Sequence, residues 1–376
     1  MSFQATLDSD NRRLTVQAGD QQHQFAALWL RENAPDDDTR DPQTTQRLID
    51  SARLPLDVSV TRVVCNESRL ELAFSDGHET AFDIATLLGQ GNVKHDVLSD
   101  RLLWDSSLES IPETDFEAAL TDDHALGVML EQLRCFGFVR VRGVPTTMDG
   151  MEPLIKRVGP QRHTNWGGIA DVRSVANAYD LTMTQRGLEP HTDNPYRDPI
   201  PGYIWLHCLR NASEGGDSTL VDGYMAAQRL AERHPQAYKT LTETPVHFRY
   251  KDDQAHLESE GPLIELNYDN QPFRVRYNNR TECIPALDPE QLEQYYAARH
   301  IFYAMITSDE LTVRLKLGEG DMLIMDNYRL FHGRTAYQLA GGERHMRQGY
   351  VDRDSTQSRR LTLRRQQGIE SQKVSA

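Results

Sequence analysis

Residues Glu189–Asp222 read EPHTDNPYRDPIPGYIWLHCLRNASEGGDSTLVD, a strand-rich stretch that opens on His191-Thr192-Asp193. In an extended strand residues i and i+2 face the same side, so the imidazole and the carboxylate can reach one metal ion. Two ligands do not define a metal site. The best candidate for a third is His332, in MDNYRLFHGR far downstream. Two histidines and one carboxylate leave three adjacent coordination positions open, the arrangement of non-haem Fe(II) oxygenases. Arg344 follows His332 by about a dozen residues, where a returning strand can bring its guanidinium near the metal. Such an arginine grips a carboxylate through two parallel hydrogen bonds, as a 2-oxoglutarate cosubstrate requires.

Outward from this stretch, the pattern predicts a mainly β protein with flanking helices. Asp122 or Asp123 caps a helix whose apolar residues Leu126, Met129, Leu130 and Leu133 recur at helical spacing, and Gly137 stops it. Strands are expected at Phe138 to Val144, in PLIELN and PFRVRYN, in the His332 segment and in RHMRQGYVDRD. YMAAQRLAERHPQAYKTL and the stretch begun by Asp288-Pro289 read as helices, and the basic tail as a short helix with a frayed end. Strands lining a mouth with ligands at it suggest a β-sandwich or jelly-roll barrel for residues 115–376. Residues 1–100 form a small β-rich N-terminal domain of short alternating segments, HQFAALWLREN among them. APDDDTRDPQTTQR should be an exposed loop, and Asp100 to Thr114 a connector.

The chain has 376 residues and a formal net charge of -15, which opposes general affinity for nucleic acid or anionic membrane. No apolar run approaches a membrane span, and the N-terminus lacks a basic-then-apolar signal, so a cytoplasmic protein is expected. Four cysteines without CxxC spacing read as reduced thiols. No nucleophile elbow of the G-x-S-x-G type is present, which disfavours a hydrolase.

The strings HTDNPYRDPIPGYIWLHCL, EGGDSTLVDG, GDMLIMDNYRLFHGR and ERHMRQGYVDRD together resemble the taurine-dioxygenase-like 2-oxoglutarate/Fe(II) oxygenases, in the branch of γ-butyrobetaine hydroxylase and trimethyllysine dioxygenase. LWLREN and the DGH segment resemble that branch's N-terminal domain. The resemblance implies a double-stranded β-helix core, Fe(II), 2-oxoglutarate and O2, with ascorbate as an optional reductant. It makes His191, Asp193 and His332 the iron ligands and assigns Arg344 and Leu206 to the cosubstrate. A homodimer is expected by the same resemblance. One departure stands out. Relatives carry a C-x-C-x-x-C cluster completed by a histidine that binds structural zinc. Here Ala34, Asp36 and Thr39 replace the cysteines while His78 remains, so no structural zinc is expected.

In this branch a trimethylammonium group sits in an aromatic cage held by cation–π attraction. The resemblance places Tyr350, Tyr179 and Trp166 in it, with a further aromatic replaced near Ala170. Core packing accounts for each ring almost as well. Asn177, Asn278 and Asn279 are candidates for the substrate's anionic end. Arg280 stands where carboxylate-binding relatives have a small residue, and an added guanidinium suits a dianion; a surface salt bridge is its plainer role. The reading is hydroxylation of 2-(trimethylamino)ethylphosphonate at the carbon bearing phosphorus. γ-Butyrobetaine hydroxylation to L-carnitine is the second reading, and a non-catalytic quaternary-ammonium binding module the alternative of another class.

Overall fold

The computed structural model describes residues 3–91, 101–173, 184–339 and 343–367. The chain divides into two compact units, Met1–Ser99 and Asp100–Ala376.

The smaller unit holds two three-stranded antiparallel sheets, Phe3–Leu7 with Arg13–Ala18 and Gln21–Ala26, and Val60–Cys65 with Arg69–Phe74 and Glu79–Asp83. Their inward residues, among them Leu14, Val16, Phe25, Val60, Leu70 and Leu72, make one core. LWLRE is helical, not strand: Ala27–Glu32 is a short helix that buries Ala27, Leu30 and Arg31 at helical spacing. The acidic loop is less exposed than its composition suggests. Ala34 and Thr39 are fully buried. The Asp36 carboxylate takes the Thr39 N–H at 3.0 Å and meets His78 Nε2 at 2.9 Å. Pro35, Asp37, Asp38 and residues 42–47 are exposed, as expected of this loop. Partial burial alone would raise the Asp36 pKa; Thr80, His78 and Thr39 together hold it down to about 2.

The larger unit is the jelly roll. Its major sheet runs Ala170–Arg173, Arg344–Val351, Tyr203–Asn211, Met322–Asp326, Phe138–Arg142, Glu113–Asp115. Facing it, the minor sheet runs Leu188–His191, Leu330–Arg334, Ser218–Asp222, Thr312–Leu315. The period of two in Tyr203–Asn211 explains how one strand serves two layers. Tyr203 and Trp205 pack outward under the helices Asp123–Phe136 and Arg353–Gln366, together with Leu126, Met129, Leu130 and Leu133. Ile204, Leu206 and Cys208 point between the sheets, where they meet Phe138, Leu220, Leu323 and Met346. Each such fully buried aliphatic side chain contributes about 1.5–3 kcal/mol. Asp122 caps the helix Asp123–Phe136, and Gly137 closes it at φ 79°, a left-handed turn that favours glycine.

Residues 101–114 are no loose connector. Trp104 is buried in the intersheet core, and its indole N–H donates to Phe136 O at 2.7 Å. Arg329, fully buried, binds Asp222 and donates to Leu102 O and Cys135 O, tying this segment to the barrel. The stretch from Tyr224 is two helices, Gly223–Arg233 and Pro235–Glu243, because proline can start a helix but not continue one. The basic tail is helical over Arg353–Gln366. Three of its arginines are consumed by the fold: Arg360 and Arg364 pair with Glu131, and Arg359 with Asp123. Among the described residues no helix is long and apolar enough to cross a membrane.

Candidate metal centre

His191 ends the strand Leu188–His191, and His332 sits directly opposite it on Leu330–Arg334, so the pairing register brings the two imidazoles together with ring centroids 4.4 Å apart. Asp193 lies beyond the strand, not within it. Its backbone is fixed by Asn327, which accepts the Asp193 N–H at 2.7 Å and donates to the Asp193 carbonyl at 2.9 Å. The next residue, Asn194, has φ 50° and turns the chain away. Thr192 is locked from the other side, exchanging hydrogen bonds with Tyr277 through its N–H and its hydroxyl. The convergence expected of a strand alone is thus completed by two buried clamps.

One ligand atom from each of His191, Asp193 and His332 lies within 4.8 Å of the others, the one such cluster among the described residues. Asp193 Oδ1 is 3.5 Å from His191 Nε2 and 3.6 Å from His332 Nε2. Nδ1 of His191 donates to the Glu189 carbonyl at 2.8 Å, which leaves the Nε2 lone pair facing the cluster. Burial, with the adjacent imidazole, pushes the His332 pKa down to about 3, so its ring is neutral and able to ligate. Burial alone would raise the pKa of Asp193. His332, His191 and the Tyr350 hydroxyl reverse this and hold it well below the usual carboxylate range. Two imidazoles and an ionised carboxylate form a donor set suited to a divalent iron ion.

The cluster opens into a cavity also lined by Trp166, Leu206, Asn278, Arg280, Arg344 and Tyr350. Arg344 is buried at 4% exposure, stacked 5.0 Å from the Tyr337 ring, and its Nε has no hydrogen-bond partner among the described residues. Burial depresses its pKa, and the neighbours that offset this are Tyr337 and Cys208, neither of them a carboxylate. A buried cation in this state fits an anionic ligand.

The remaining candidates divide. Asn278 lines the cavity, but its amide is spent on the frame: Nδ2 donates to Thr192 O at 3.0 Å and Oδ1 accepts the Arg280 N–H at 3.2 Å. Asn279 does not reach the cavity wall. The chain turns here, so successive side chains diverge, and Asn279 accepts a hydrogen bond from Arg299 instead. Arg280 returns to the cavity, close enough to His332 to help depress its pKa. Asn177 and Tyr179 lie outside the described residues. Ala170 lines the wall, and two further rings, Tyr196 and Tyr250, complete it. Tyr196 stacks on Tyr250 at 5.3 Å, and Trp166 meets Tyr250 edge-on at 5.1 Å. Tyr196 was within reach of a sequence reading, three residues after Asp193; nothing local marks Tyr250. Gln348 was legible too. Arg344, Met346, Gln348 and Tyr350 alternate along one strand, and all four face the cavity.

Comparison with known proteins agrees with this architecture. Residues 106–350 match the model of the taurine catabolism dioxygenase TauD, TfdA family, and residues 5–88 match the γ-butyrobetaine hydroxylase-like N-terminal family. The chain is 34% identical over 348 residues to γ-butyrobetaine dioxygenase of Pseudomonas sp. (strain AK-1), covering 91% of each. It is 28% identical to the mitochondrial trimethyllysine dioxygenase of Rattus norvegicus, covering 94% of this chain and 86% of that one. A taurine dioxygenase from Burkholderia xenovorans shares the fold, with a TM-score of 0.50, 17% identity, and coverage of 64% of this chain and 88% of that one. A metal-ligand cluster at the mouth of a jelly roll, matched over most of its length by this family's model, makes the chain a dioxygenase of the TauD/TfdA family that carries a γ-butyrobetaine hydroxylase-like N-terminal domain.

Proposed function

We propose that the protein is a 2-oxoglutarate- and Fe(II)-dependent hydroxylase of a small trimethylammonium zwitterion, with 2-(trimethylamino)ethylphosphonate, oxidised at the carbon bearing phosphorus, as substrate. The observation that carries it is one cavity combining the His191, Asp193 and His332 cluster, the buried Arg344, a wall of aromatic rings and Arg280. His191, Asp193 and His332 hold Fe(II), and Arg344 binds the distal carboxylate of 2-oxoglutarate against Leu206. Bound there, iron with 2-oxoglutarate and O2 supplies the oxidant for an unactivated C–H bond, with succinate and CO2 as co-products.

The protein's own part is placement. Trp166, Tyr196, Tyr250 and Tyr350 line the cavity, and an aromatic ring in such a wall attracts a quaternary ammonium by roughly 0.5–2 kcal/mol. Arg280 offers charge-assisted hydrogen bonds to the anionic end, which suits a dianion better than a monoanion. γ-Butyrobetaine is the second reading, favoured by the 34% identity to a dioxygenase named for it. Incubating the iron-loaded protein with each compound and measuring succinate separates the two. Succinate release with γ-butyrobetaine alone would remove the phosphonate.

A further inference from the structure

The two oxygens of the Asp193 carboxylate have different partners. Oδ1 faces both imidazole Nε2 atoms at 3.5 and 3.6 Å. Oδ2 faces away, accepting Gln348 Nε2–H at 2.7 Å and the Tyr350 hydroxyl at 2.9 Å. The hydroxyl is itself held: it accepts from Gln348 Nε2 at 2.7 Å and from Asn194 Nδ2 at 3.1 Å, and Asn194 Oδ1 in turn accepts the Tyr196 hydroxyl at 2.7 Å. Tyr350, Asn194 and Asp193 are all buried, so solvent does not supply these donors.

We propose that Gln348 and Tyr350 are positioning residues that keep Asp193 a one-oxygen ligand. A carboxylate free to rotate about its Cβ–Cγ bond can turn both oxygens to a metal ion. With two imidazoles, that would leave two positions open instead of three, too few for a chelating oxo-acid and O2 together. Two donors on Oδ2 make the rotation unfavourable, because it strips both partners from a buried acceptor. The arrangement also joins the cavity wall to the metal cluster. The Tyr350 ring lines the cavity while its hydroxyl is saturated by protein contacts, so a ligand meets the ring and not the hydroxyl. Strand geometry places the pair: Gln348 and Tyr350 are two apart on Arg344–Val351, opposite Leu206 and Ile204 in the register.

This inference rests on reading His191, Asp193 and His332 as ligands of one ion, but not on the identity of the substrate. The test compares the full-length protein with Tyr350→Phe, which keeps the ring and loses the donor, and with Gln348→Met, which keeps the volume. Mn(II) affinity is measured by the loss of the free-ion electron paramagnetic resonance signal. Coordination number is read from the d–d absorption of the Co(II)-loaded protein. The expected result is Mn(II) affinity weaker by about 10- to 100-fold in each variant, with Co(II) bands altered from wild type. Circular dichroism with an unchanged melting profile identifies variants that fold; if Gln348→Met does not, Tyr350→Phe alone carries the test. Wild-type affinity and an unchanged Co(II) spectrum in folded Tyr350→Phe would overturn the proposal. Failure of the wild-type protein to take up Mn(II) would overturn the metal reading, and this inference with it.

Discussion

Among the places where the described residues bring a carboxylate from one segment against an imidazole from another, one in each unit invites comparison, and the two end differently. In the smaller unit, Asp36 and His78 meet directly at 2.9 Å, and the Thr39 N–H takes up another lone pair. In the larger unit, Asp193 stops 3.5 and 3.6 Å short of two imidazoles, too far for a good hydrogen bond. Its second oxygen is tied back by Gln348 and Tyr350, and its backbone by Asn327. The first cluster satisfies itself and is a structural tie. The second is held open, with one ligand atom from each of three residues within 4.8 Å of the others. Residue types do not separate a fold-stabilising pair from a metal site; what surrounds them does.

The sharpest way to break this contrast is Asp193→Ala. It should reduce 2-oxoglutarate turnover to background, read as succinate release, and abolish Mn(II) uptake. Retained turnover would mean the open cluster is only another tie. Arg344→Met should leave metal uptake intact and weaken 2-oxoglutarate binding by about 10- to 100-fold, from the loss of charge-assisted hydrogen bonds worth about 1.5–3 kcal/mol. Calorimetric titration of the Mn(II)-loaded protein measures it. Arg280→Ala should cost turnover of the phosphonate about 10-fold more than turnover of γ-butyrobetaine, compared by kcat/KM. Equal losses would remove Arg280 as an anion clamp.

Smaller effects belong to the closed pair. Asp36→Ala should lower the stability of the smaller unit by about 1–3 kcal/mol, leaving His78 without its partner. Chelator should not shift that unit's unfolding, whereas Mn(II) at 100-fold its Kd should raise the larger unit's stability by about 2.7 kcal/mol. Acid should also separate the two units. Burial, with Arg347 nearby, pushes His207 in the larger unit down to about 4 from an ordinary 6.5. The unfolded chain therefore binds the extra proton first, and this contribution is full above 6.5 and lost as pH falls toward 4. Asp36, lowered from 3.8 to about 2, contributes fully above 3.8 and loses its share only as pH falls through 2. Fluorescence from Trp104 and Trp205 should thus change at milder acid than that from Trp29. The reverse order would contradict both burial assignments.

Much of the site could be read from the chain because its parts are local. His191 and Asp193 lie two apart in sequence, His332 sits in a distinctive strand segment, and Arg344, Gln348 and Tyr350 follow a period of two. Tyr250 was not legible, since it reaches the cavity only by stacking on Tyr196 from a remote strand. Asn278 and Asn279 look equivalent in sequence, and a single turn sends one to Thr192 beside the His191, Asp193 and His332 cluster and the other to Arg299. Asp36 reads as one of three solvated acids until His78 arrives from another strand.

The sequence by itself determined the strand periodicity, the ligand types and the family to which they point, because each is written in residue identity over short range. Tertiary structure alone decided that His191 and His332 stand in register, that Asp193 presents one oxygen and not two, and that Arg344 is buried with no carboxylate beside it among the described residues. Those are properties of distance and of which donors remain unsatisfied. Both depend on long-range packing, which pattern along the chain does not encode locally.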